Sequence, residues 1–259
     1  MISETTIRHI NGMDEFESLR EAWEKLSSRR EVRTVFLTWE WLFSWWKTHQ
    51  AGRELWLITA WQKDELVGIA PLMLSREKKY LLGFRLLQSL GAPNTDESDF
   101  LALNDDPVIL GALCRYILQN RNKWDAIILH EHRSSRATTR AIREAFSKDK
   151  LVVRTRVNHH YYIPISDHSW DGYLKSLSKN LRQNLDRRLR RIRETNTLTF
   201  EHHKGRDIRW EHFESIFDVS KRGAFPEKYE SETERAFHRE LLERMAPRGW
   251  MEIIFVSLD

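Results

Sequence analysis

The chain has 259 residues, of which 41% are hydrophobic and 31% are charged; this composition is typical of a folded globular protein and excludes a disordered chain. The 42 basic and 38 acidic residues leave a formal net charge of +4, which is too small to indicate nucleic-acid binding by itself. No signal peptide and no membrane-spanning apolar run are recognisable, so no membrane insertion is predicted. The single cysteine, Cys114, lies in an apolar stretch, which favours a core position and a reducing, cytoplasmic compartment.

The first 165 residues alternate between strand and helix patterns. Asp14 and Thr38 are predicted to cap the first two helices, because their side-chain oxygens can accept amide protons. The second of these helices is apolar nearly all round and is rich in tryptophan, so we expect it to be buried on more than one side. The predicted strands are 5–10, 54–61, 66–74, 80–90, 100–103, 124–130, 151–157 and 161–165, and the later helices are 108–118 and 135–146. This order, with a hairpin over 54–74, predicts an α/β (α+β) fold with a mixed sheet covered by helices.

The order of elements begins again in the last quarter of the chain, with a strand at 198–203, two helices and a strand at 250–258. Residues 53–64 can be laid over 248–259 without a gap, although few positions are identical. We therefore predict three parts: a first domain over 1–165, a basic connecting helix over 166–196, and the N-terminal part of a second, incomplete domain over 197–259. A short helical appendage with one added strand is the alternative.

Three segments carry a family resemblance: FLTWEWL at 36–42, LVGIAPL at 66–72 and SKNLRQNL at 178–185. In these segments the chain resembles the BioF2-like group of GNAT acetyltransferases. That group contains proteins linked to cellulose and exopolysaccharide biosynthesis and is similar to the Fem-type aminoacyltransferases. The resemblance implies two GNAT-like domains, and an acyl-CoA-dependent N- or O-acyltransferase that acts on a small-molecule, sugar-linked or amino-group acceptor in exopolysaccharide or cell-envelope biosynthesis.

The resemblance also implies acetyl-CoA or another acyl-CoA as co-substrate. GNAT enzymes hold its pyrophosphate on backbone amides after the fourth strand, at a helix N-terminus. The matching place here, residues 100–111, has no glycine loop, and Asp105 and Asp106 would repel phosphate. The first domain is therefore expected not to bind acyl-CoA in that manner, and the residues that bind the cofactor remain unassigned.

A loop at 91–99 ends in Asp96, Glu97, Ser98 and Asp99. Carboxylates on a loop can hold an amine substrate or act as a general base. By resemblance and position, Asp99 is the predicted catalytic residue. The alternative is a solvated loop whose acids only form turns.

A strongly basic helix follows, with eight basic residues and one acid, Asp186, between residues 175 and 193. Leucines and one isoleucine recur at spacings of three and four, which predicts one docked apolar stripe. Lys179, Arg182 and Asn184 match a Fem-like pattern at the start of this helix and are the predicted substrate-binding residues. With Asp99 they are predicted to form an acceptor site between the domains, whereas the alternative is a solvated charged face.

Histidines occur as His130 and His132, as the pair at 159–160, and as His202 with His203. Adjacent histidines on a strand point to opposite faces and no third ligand is evident, so no metal site is predicted. Two other functions stay open: a Fem-like aminoacyltransferase that uses aminoacyl-tRNA, and a non-catalytic binding protein with a degenerate GNAT domain. Nucleic acid other than tRNA is not expected as a partner, and the sequence gives no oligomeric state.

Overall fold

The computed structural model describes residues 4–29, 34–79, 82–133, 136–149, 151–159, 161, 163, 169–223 and 231–258. Strands and helices alternate along the chain, as the sequence predicts. The strands are β1 Thr5–Ile10, β2 Arg53–Gln62, β3 Glu65–Lys79, β4 Leu82–Ser89, β5 Leu101–Ala102, β6 Ala126–Ile128, β7 Leu198–Lys204 and β8 Glu252–Leu258. The helices are α1 Met13–Ser18, α2 Arg20–Ser28, α3 Trp39–His49, α4 Pro107–Gln119, α5 Ala137–Lys148, α6 Trp170–Ser176, α7 Lys179–Thr195, α8 Trp210–Ser220 and α9 Glu232–Met245.

The chain divides into two compact units. Unit 1 contains residues 1–156 and 216–244, and unit 2 contains residues 157–215 and 245–259. Helix α9 is therefore part of unit 1, apart from its last residue, although the sequence analysis places it in a second domain. The three-part division at residues 165 and 196 stays a prediction.

Unit 1 is built on a mixed sheet with the order β1-β2-β3-β4-β6, and β5 pairs with β3. All neighbouring strands are antiparallel except β4 and β6, which run parallel. Two parallel neighbours need a crossover connection, and α4 lies within the one that joins β4 to β6. The predicted α/β fold with a mixed sheet is confirmed.

One core forms where α4 covers the sheet. Strand β2 is buried over six consecutive residues, as expected of a strand covered on both faces. Ile109, Leu113 and Ile117 of α4 are buried in the same cluster as Ile58 of β2. Cys114 is fully buried there, and burial raises the pKa of its thiol to about 12. The predicted core position of Cys114 is confirmed, and its thiol is not a nucleophile at neutral pH.

A second core is aromatic and surrounds α3. Trp39 stacks on Phe43 with ring centroids 4.3 Å apart, and Phe16 of α1 meets Phe43 edge-on at 5.2 Å. The buried indoles also keep their hydrogen bonds: Trp23 donates to the Leu37 carbonyl and Trp39 to the Phe16 carbonyl, each at 2.9 Å. Such large apolar side chains with satisfied N–H groups explain why α3 is buried on several sides, as predicted.

The prediction that Thr38 caps α3 is confirmed, and the prediction that Asp14 caps α1 is wrong. Thr38 accepts a hydrogen bond from the Trp41 amide at 3.3 Å. Helix α1 begins one residue before Asp14, with Gly12 at the N-cap position and no side-chain cap. Asp14 instead lies in the first turn, where a negative charge complements the helix dipole.

Two predicted strands are not observed as such. Residues 151–157 have no regular secondary structure, so that prediction is wrong. Most of the predicted strand 161–165 lies outside the described residues, as do residues 80 and 81 and the first residue of the predicted helix 135–146. Residues 151–157 are mostly exposed, with Val152 at 85%. A segment rich in β-branched residues forms a strand only where a neighbouring strand pairs with it.

Unit 2 contains α6, α7 and an antiparallel pair, β7 and β8, in which Leu198 lies opposite Leu258 and Lys204 opposite Glu252. Gly205 follows β7 with φ +55°, and Gly249 precedes β8 with φ +70°. Both positions favour glycine because L side chains rarely adopt a positive φ. At Gly205 a Cβ would also lie 3.3 Å from the Ala246 carbonyl oxygen, which is a tight contact.

Replacing Trp45 with Ala should lower the free energy of unfolding by about 3–5 kcal/mol, because Trp45 is fully buried and the truncation leaves a cavity. Urea unfolding followed by circular dichroism measures the change. Trp170→Ala is the control, since Trp170 is 55% exposed and should change the stability by less than about 0.5 kcal/mol. Equal losses in both variants would show that Trp45 does not support the aromatic core.

Replacing Gly68 or Gly111 with alanine should change the free energy of unfolding in opposite directions. Gly68 packs against α4, and Gly111 belongs to it. A Cβ on Gly68 of β3 would lie 2.5 Å from Ile109 Cγ2, so Gly68→Ala should cost about 1–3 kcal/mol by overpacking. A Cβ on Gly111 would meet nothing within 4 Å, and in a helix interior Gly111→Ala should gain about 0.5–1 kcal/mol. The same unfolding assay checks both, and a stabilised Gly68→Ala variant would contradict the packing of α4 on β3.

Candidate functional site

Polar residues gather at the carboxyl ends of β4 and β6. These strands are parallel, so their carboxyl ends meet at one edge of the sheet, the usual position for a ligand site. Ser89, the last residue of β4, accepts a hydrogen bond from the His130 amide at 3.2 Å. Ser98 bonds to the His130 carbonyl and donates its amide to the Glu131 carbonyl at 3.3 Å. The loop at 91–99 is thereby joined to the segment that follows β6.

Asp99 and His132 form a buried pair inside this polar cluster. Their side chains are only 3% and 10% exposed, and Asp99 Oδ1 lies 4.0 Å from His132 Nδ1. This distance is too long for a direct hydrogen bond but close enough for strong electrostatic interaction. Burial lowers the pKa of His132 to about 4, further helped by His130 and opposed by the Asp99 carboxylate. At neutral pH the pair therefore contains a neutral imidazole beside a buried carboxyl group.

The sequence analysis selected Asp99 and missed His132. The His-Glu-His segment at 130–132 was noticed, but only as a weak metal-binding pattern. Its position directly after the apolar run of β6 was the available signal, because such residues reach the carboxyl edge of the sheet. The structure brings His132 and Asp99 together, and it places Asp99 in the interior instead of in solvent.

The loop that carries Asp99 is attached to α3 and α9. Trp41 donates its indole N–H to Thr95 at 3.2 Å, and Trp45 donates to Asn94 at 3.1 Å. Asn94 in turn donates to Glu234 of α9 at 3.0 Å. Gly91 has φ +92°, and a Cβ at this position would collide with the Thr95 hydroxyl, so the turn requires glycine.

The other acids of this loop have different surroundings. Glu97 pairs with Arg133 at 2.9 Å and lies 3.7 Å from Arg136, while Asp96 is exposed. The three carboxylates thus divide into one that is ion-paired, one that is solvated and one that is buried. Asp96 and Asp99 offer a matched comparison between an exposed and a buried aspartate in one loop.

The start of α4 is closed to phosphate by its own residues. The Asp106 carboxylate accepts the Val108 amide at 2.7 Å, and Pro107, the first helical residue, has no N–H. A negative charge therefore occupies the place where a pyrophosphate would need amide donors. Asn104 and Asp105 also hold positive φ values of 55° and 51°, a conformation that non-glycine residues rarely adopt.

The three predicted substrate-binding residues lie in the first turns of α7. Ser178 caps this helix by accepting the Leu181 amide at 3.3 Å. Lys179 is exposed and Arg182 half-buried, and because they are three residues apart they share one helix face. Asn184 accepts a hydrogen bond from Arg187 at 2.6 Å. These residues belong to unit 2 and Asp99 to unit 1, so the acceptor site predicted from all four stays a prediction.

Helix α7 has seven basic and two acidic residues, a net charge of +5. Its described side-chain hydrogen bonds include those from Arg187 to Asn184, from Thr195 to the Arg191 carbonyl, and from the C-cap residue Asn196 to the Thr195 hydroxyl. Within the described residues, no carboxylate forms an ion pair with its basic side chains. The predicted apolar stripe is partly covered, since Leu185 and Leu189 are half-buried whereas Leu181 is 52% exposed.

None of the helices in the described part of the chain has the length and apolar character needed to cross a membrane.

Comparison with known proteins identifies one matching family. The model of the acetyltransferase (GNAT) domain family matches residues 179–259, which include α7, β7, α8, α9 and β8. No curated protein sequence matches the chain. The match supports acyltransferase chemistry for the C-terminal third of the sequence, and acetyl-CoA is the general co-substrate of this family.

Several solved structures with some likeness to the chain are acetyltransferases. One is an aminoglycoside acetyltransferase from an uncultured soil metagenomic sample in complex with sisomicin, 14% identical, covering 61% of this chain and 95% of that chain, with a TM-score of 0.32. Another is the ribosomal-protein-alanine N-acetyltransferase from Brucella melitensis biovar Abortus 2308, with 11% identity, 61% and 98% coverage and a TM-score of 0.35. A possible acetyltransferase from Clostridium difficile 630 has 13% identity, 62% and 99% coverage and a TM-score of 0.36.

Stability should fall as the pH drops from about 6.5 to about 4, because His132 has a pKa of about 4 in the fold and an ordinary value near 6.5 when unfolded. In that window the His132 imidazole binds a proton in the unfolded chain but not in the folded chain. The free energy of unfolding therefore falls by up to about 3 kcal/mol. Burial also lowers the pKa of His9 and His130, which adds to the same slope.

Unfolding titrations of the wild type and of His132→Asn between pH 4 and pH 7 separate these contributions. The variant should show a slope that is smaller by up to about one proton, whereas His202→Asn, at a side chain that is 51% exposed, should keep the wild-type slope. A wild-type stability that is flat across this range would show that His132 is not buried in its neutral form.

Proposed function

We propose that the protein is an acyl-CoA-dependent N- or O-acyltransferase that acts on a sugar-linked or amino-group acceptor in exopolysaccharide or cell-envelope biosynthesis. The observation that carries this proposal is the match of residues 179–259 to the GNAT acetyltransferase domain. The BioF2-like resemblance of the segments at 36–42, 66–72 and 178–185 supports the finer acceptor class and a cytoplasmic location.

In the proposed reaction the acceptor nitrogen or oxygen attacks the thioester carbonyl of the acyl-CoA. A base removes the proton of the acceptor, the tetrahedral intermediate collapses, and the CoA thiolate leaves and takes up a proton. The products are the acylated acceptor and free CoA. Asp99 is our proposed base, and the neutral His132 imidazole, 4.0 Å away, is positioned to share the incoming proton.

This role requires that an acceptor reaches Asp99, which is 3% exposed. The loop at 91–99 must then open, and the hydrogen bonds from Trp41 and Trp45 to this loop define what has to be broken. While the loop is closed, Asp99 is shielded from bulk water.

Lys179 and Arg182 are our proposed contacts to an anionic group of the acceptor. They share one face at the start of α7, where the helix dipole and the unpaired amides add positive potential. The guanidinium of Arg182 can hold two oxygens of a phosphate or carboxylate at once. Asn184, with its carbonyl oxygen bonded to Arg187, can contribute its amide N–H groups.

The first domain is proposed not to hold acyl-CoA at the start of α4. Asp106 already accepts the Val108 amide there, and Pro107 has no amide to offer. A carboxylate in this place repels a pyrophosphate and so opposes the attraction by the helix amides. This closed helix end also favours the alternative of a non-catalytic protein with a degenerate GNAT domain.

A Fem-like aminoacyltransferase that uses aminoacyl-tRNA is the second candidate. The observation in its favour is the net charge of +5 on α7, with no ion pairs to its basic side chains within the described residues. A nucleic-acid backbone would neutralise several of these charges, and its binding would weaken steeply with salt. Acyl-CoA turnover that is insensitive to moderate salt favours the first candidate.

The test is release of CoA thiol, followed with a thiol reagent, from acetyl-CoA and longer acyl-CoAs with amino-sugar and sugar-phosphate acceptors. Aminoacyl-tRNA and an unacylated tRNA are run beside them. Acceptor-dependent thiol release supports the proposal, whereas transfer from aminoacyl-tRNA alone supports the second candidate. No transfer from any donor, by a chain shown to be folded, would contradict both.

With an active acceptor, Asp99→Asn should lower kcat by about 100-fold or more, because the base is lost, while Asp96→Asn in the same loop should have little effect. Arg182→Ala should raise the acceptor KM by about tenfold with a smaller change in kcat, and Arg188→Ala, further along α7, should leave KM within about twofold. Steady-state kinetics measures all four, and unchanged constants in Asp99→Asn and Arg182→Ala would overturn the assignment.

A further inference from the structure

Three side chains of types that can ligate a metal gather in unit 2, and none of them is among the residues assigned to acyl transfer. Glu201 and His203 lie two residues apart on β7, so their side chains share one face of the strand. His202, between them, lies on the other face, where its ring contacts Glu252 of β8. Adjacent histidines thus point to opposite faces, as expected from the sequence.

Helix α8 supplies the third ligand that the sequence did not show. Its first turn places His212 against His203, with the rings stacked at a centroid distance of 3.7 Å. His203 Nε2 lies 2.7 Å from Glu201 Oε1, and one potential ligand atom from each of the three residues lies within 4.8 Å of the other two. Eight residues separate His203 from His212, so no short motif marks the site.

We propose that Glu201, His203 and His212 bind one Zn²⁺ ion. Two imidazole nitrogens and one carboxylate oxygen form a ligand set typical of zinc, whereas magnesium and calcium prefer oxygen ligands throughout. Three protein ligands leave the fourth tetrahedral position to water. The carboxylate of Glu201 is 63% exposed, so an ion can enter from solvent, while His203 is only 18% exposed and is held in place.

The surroundings of the two histidines favour a fixed site. The Phe255 ring of β8 contacts both imidazoles, at centroid distances of 6.1 Å from His203 and 6.2 Å from His212. This apolar wall limits the access of water on one side and restricts the rotation of both rings. Contacts of this kind around the ligands hold them in the orientation that the metal needs.

Metal binding requires a rearrangement of protons. His203 is hydrogen-bonded to Glu201 through Nε2, so its proton must move to Nδ1 when Nε2 binds the ion. His212 Nδ1 accepts the Arg209 amide at 3.1 Å, and this hydrogen bond must be given up whichever ring nitrogen coordinates. Both histidines then act as neutral ligands, and the Arg209 amide becomes a reporter of binding.

The bound ion would cross-link β7 to the start of α8. Both belong to unit 2, and the short segment between them includes Gly205 in the left-handed conformation. An ion that binds the folded arrangement and not the unfolded chain stabilises the fold in proportion to its free concentration. The inference is independent of the acyltransferase proposal, since none of the three ligands has a role in that reaction.

The test uses the full chain, stripped of metal by a chelator and then titrated with ZnCl₂ by calorimetry, with MgCl₂ as the comparison ion. We expect one equivalent of Zn²⁺ to bind and Mg²⁺ not to bind. His203→Gln and His212→Gln should each weaken binding by about tenfold or more. His202→Gln is the matched control on the opposite face of the same strand and should keep the wild-type affinity.

A measurement on the wild type guards against variants that fail to fold. In a two-dimensional NMR spectrum of the chain, Zn²⁺ should shift the Arg209 amide and the ring signals of His203 and His212, and leave the His202 ring unaffected. Binding that survives the combined replacement of His203 and His212 in a folded chain would overturn the proposal. So would a wild type without stoichiometric binding, or one in which the His202 ring alone responds.

Discussion

The position of the loop at 91–99 depends on two indole hydrogen bonds. Trp41 and Trp45 of α3 donate to Thr95 and Asn94, and the carboxylate of Glu234 on α9 accepts from the same asparagine. Helix α3 therefore does more than fill the core, because its indole N–H groups fix the loop that carries Asp99. A buried indole N–H without a partner would be costly, so the loop and the helix stabilise each other.

The same loop closes the carboxyl edge of the parallel strand pair. Ser98 bonds to the backbone of the segment after β6, and Asp99 follows it into the interior beside His132. The crossover through α4 brings these distant segments together, since parallel neighbours cannot be joined by a tight turn. The polar cluster is thus a product of strand direction, and short-range sequence patterns carry little information about it.

The fold could be predicted from the sequence where periodicity was strong. Strand β1 and the hairpin of β2 and β3 appear close to their expected bounds, and Thr38 caps α3 as its hydroxyl allows. The prediction fails at residues 151–157, whose β-branched side chains find no strand partner. Strand propensity reflects packing on a neighbouring strand, and no local pattern reveals whether that neighbour exists.

The candidate sites were only partly accessible to sequence reasoning. Asp99 could be selected from its loop, but His132 could not be paired with it, because the 32 intervening residues include an α-helix and two strands. His212 was also missed as a partner of His203, because the two histidines are separated in the sequence and belong to different elements. Tertiary contacts between a strand and the following helix depend on the turn between them, and that turn contains a glycine with positive φ.

Unit 2 is formed by two separate stretches of the chain, and this arrangement affects how the protein folds. Lys204 of β7 pairs with Glu252 of β8, so residues 205–251, a span of 47 residues, must be looped out before the two strands can meet. Much of that span, residues 216–244, belongs to unit 1. Closing a long flexible loop costs entropy, whereas docking α9 into unit 1 first shortens the freely moving chain. Order in unit 1, which contains most of α9, therefore lowers the entropy cost of pairing β7 with β8.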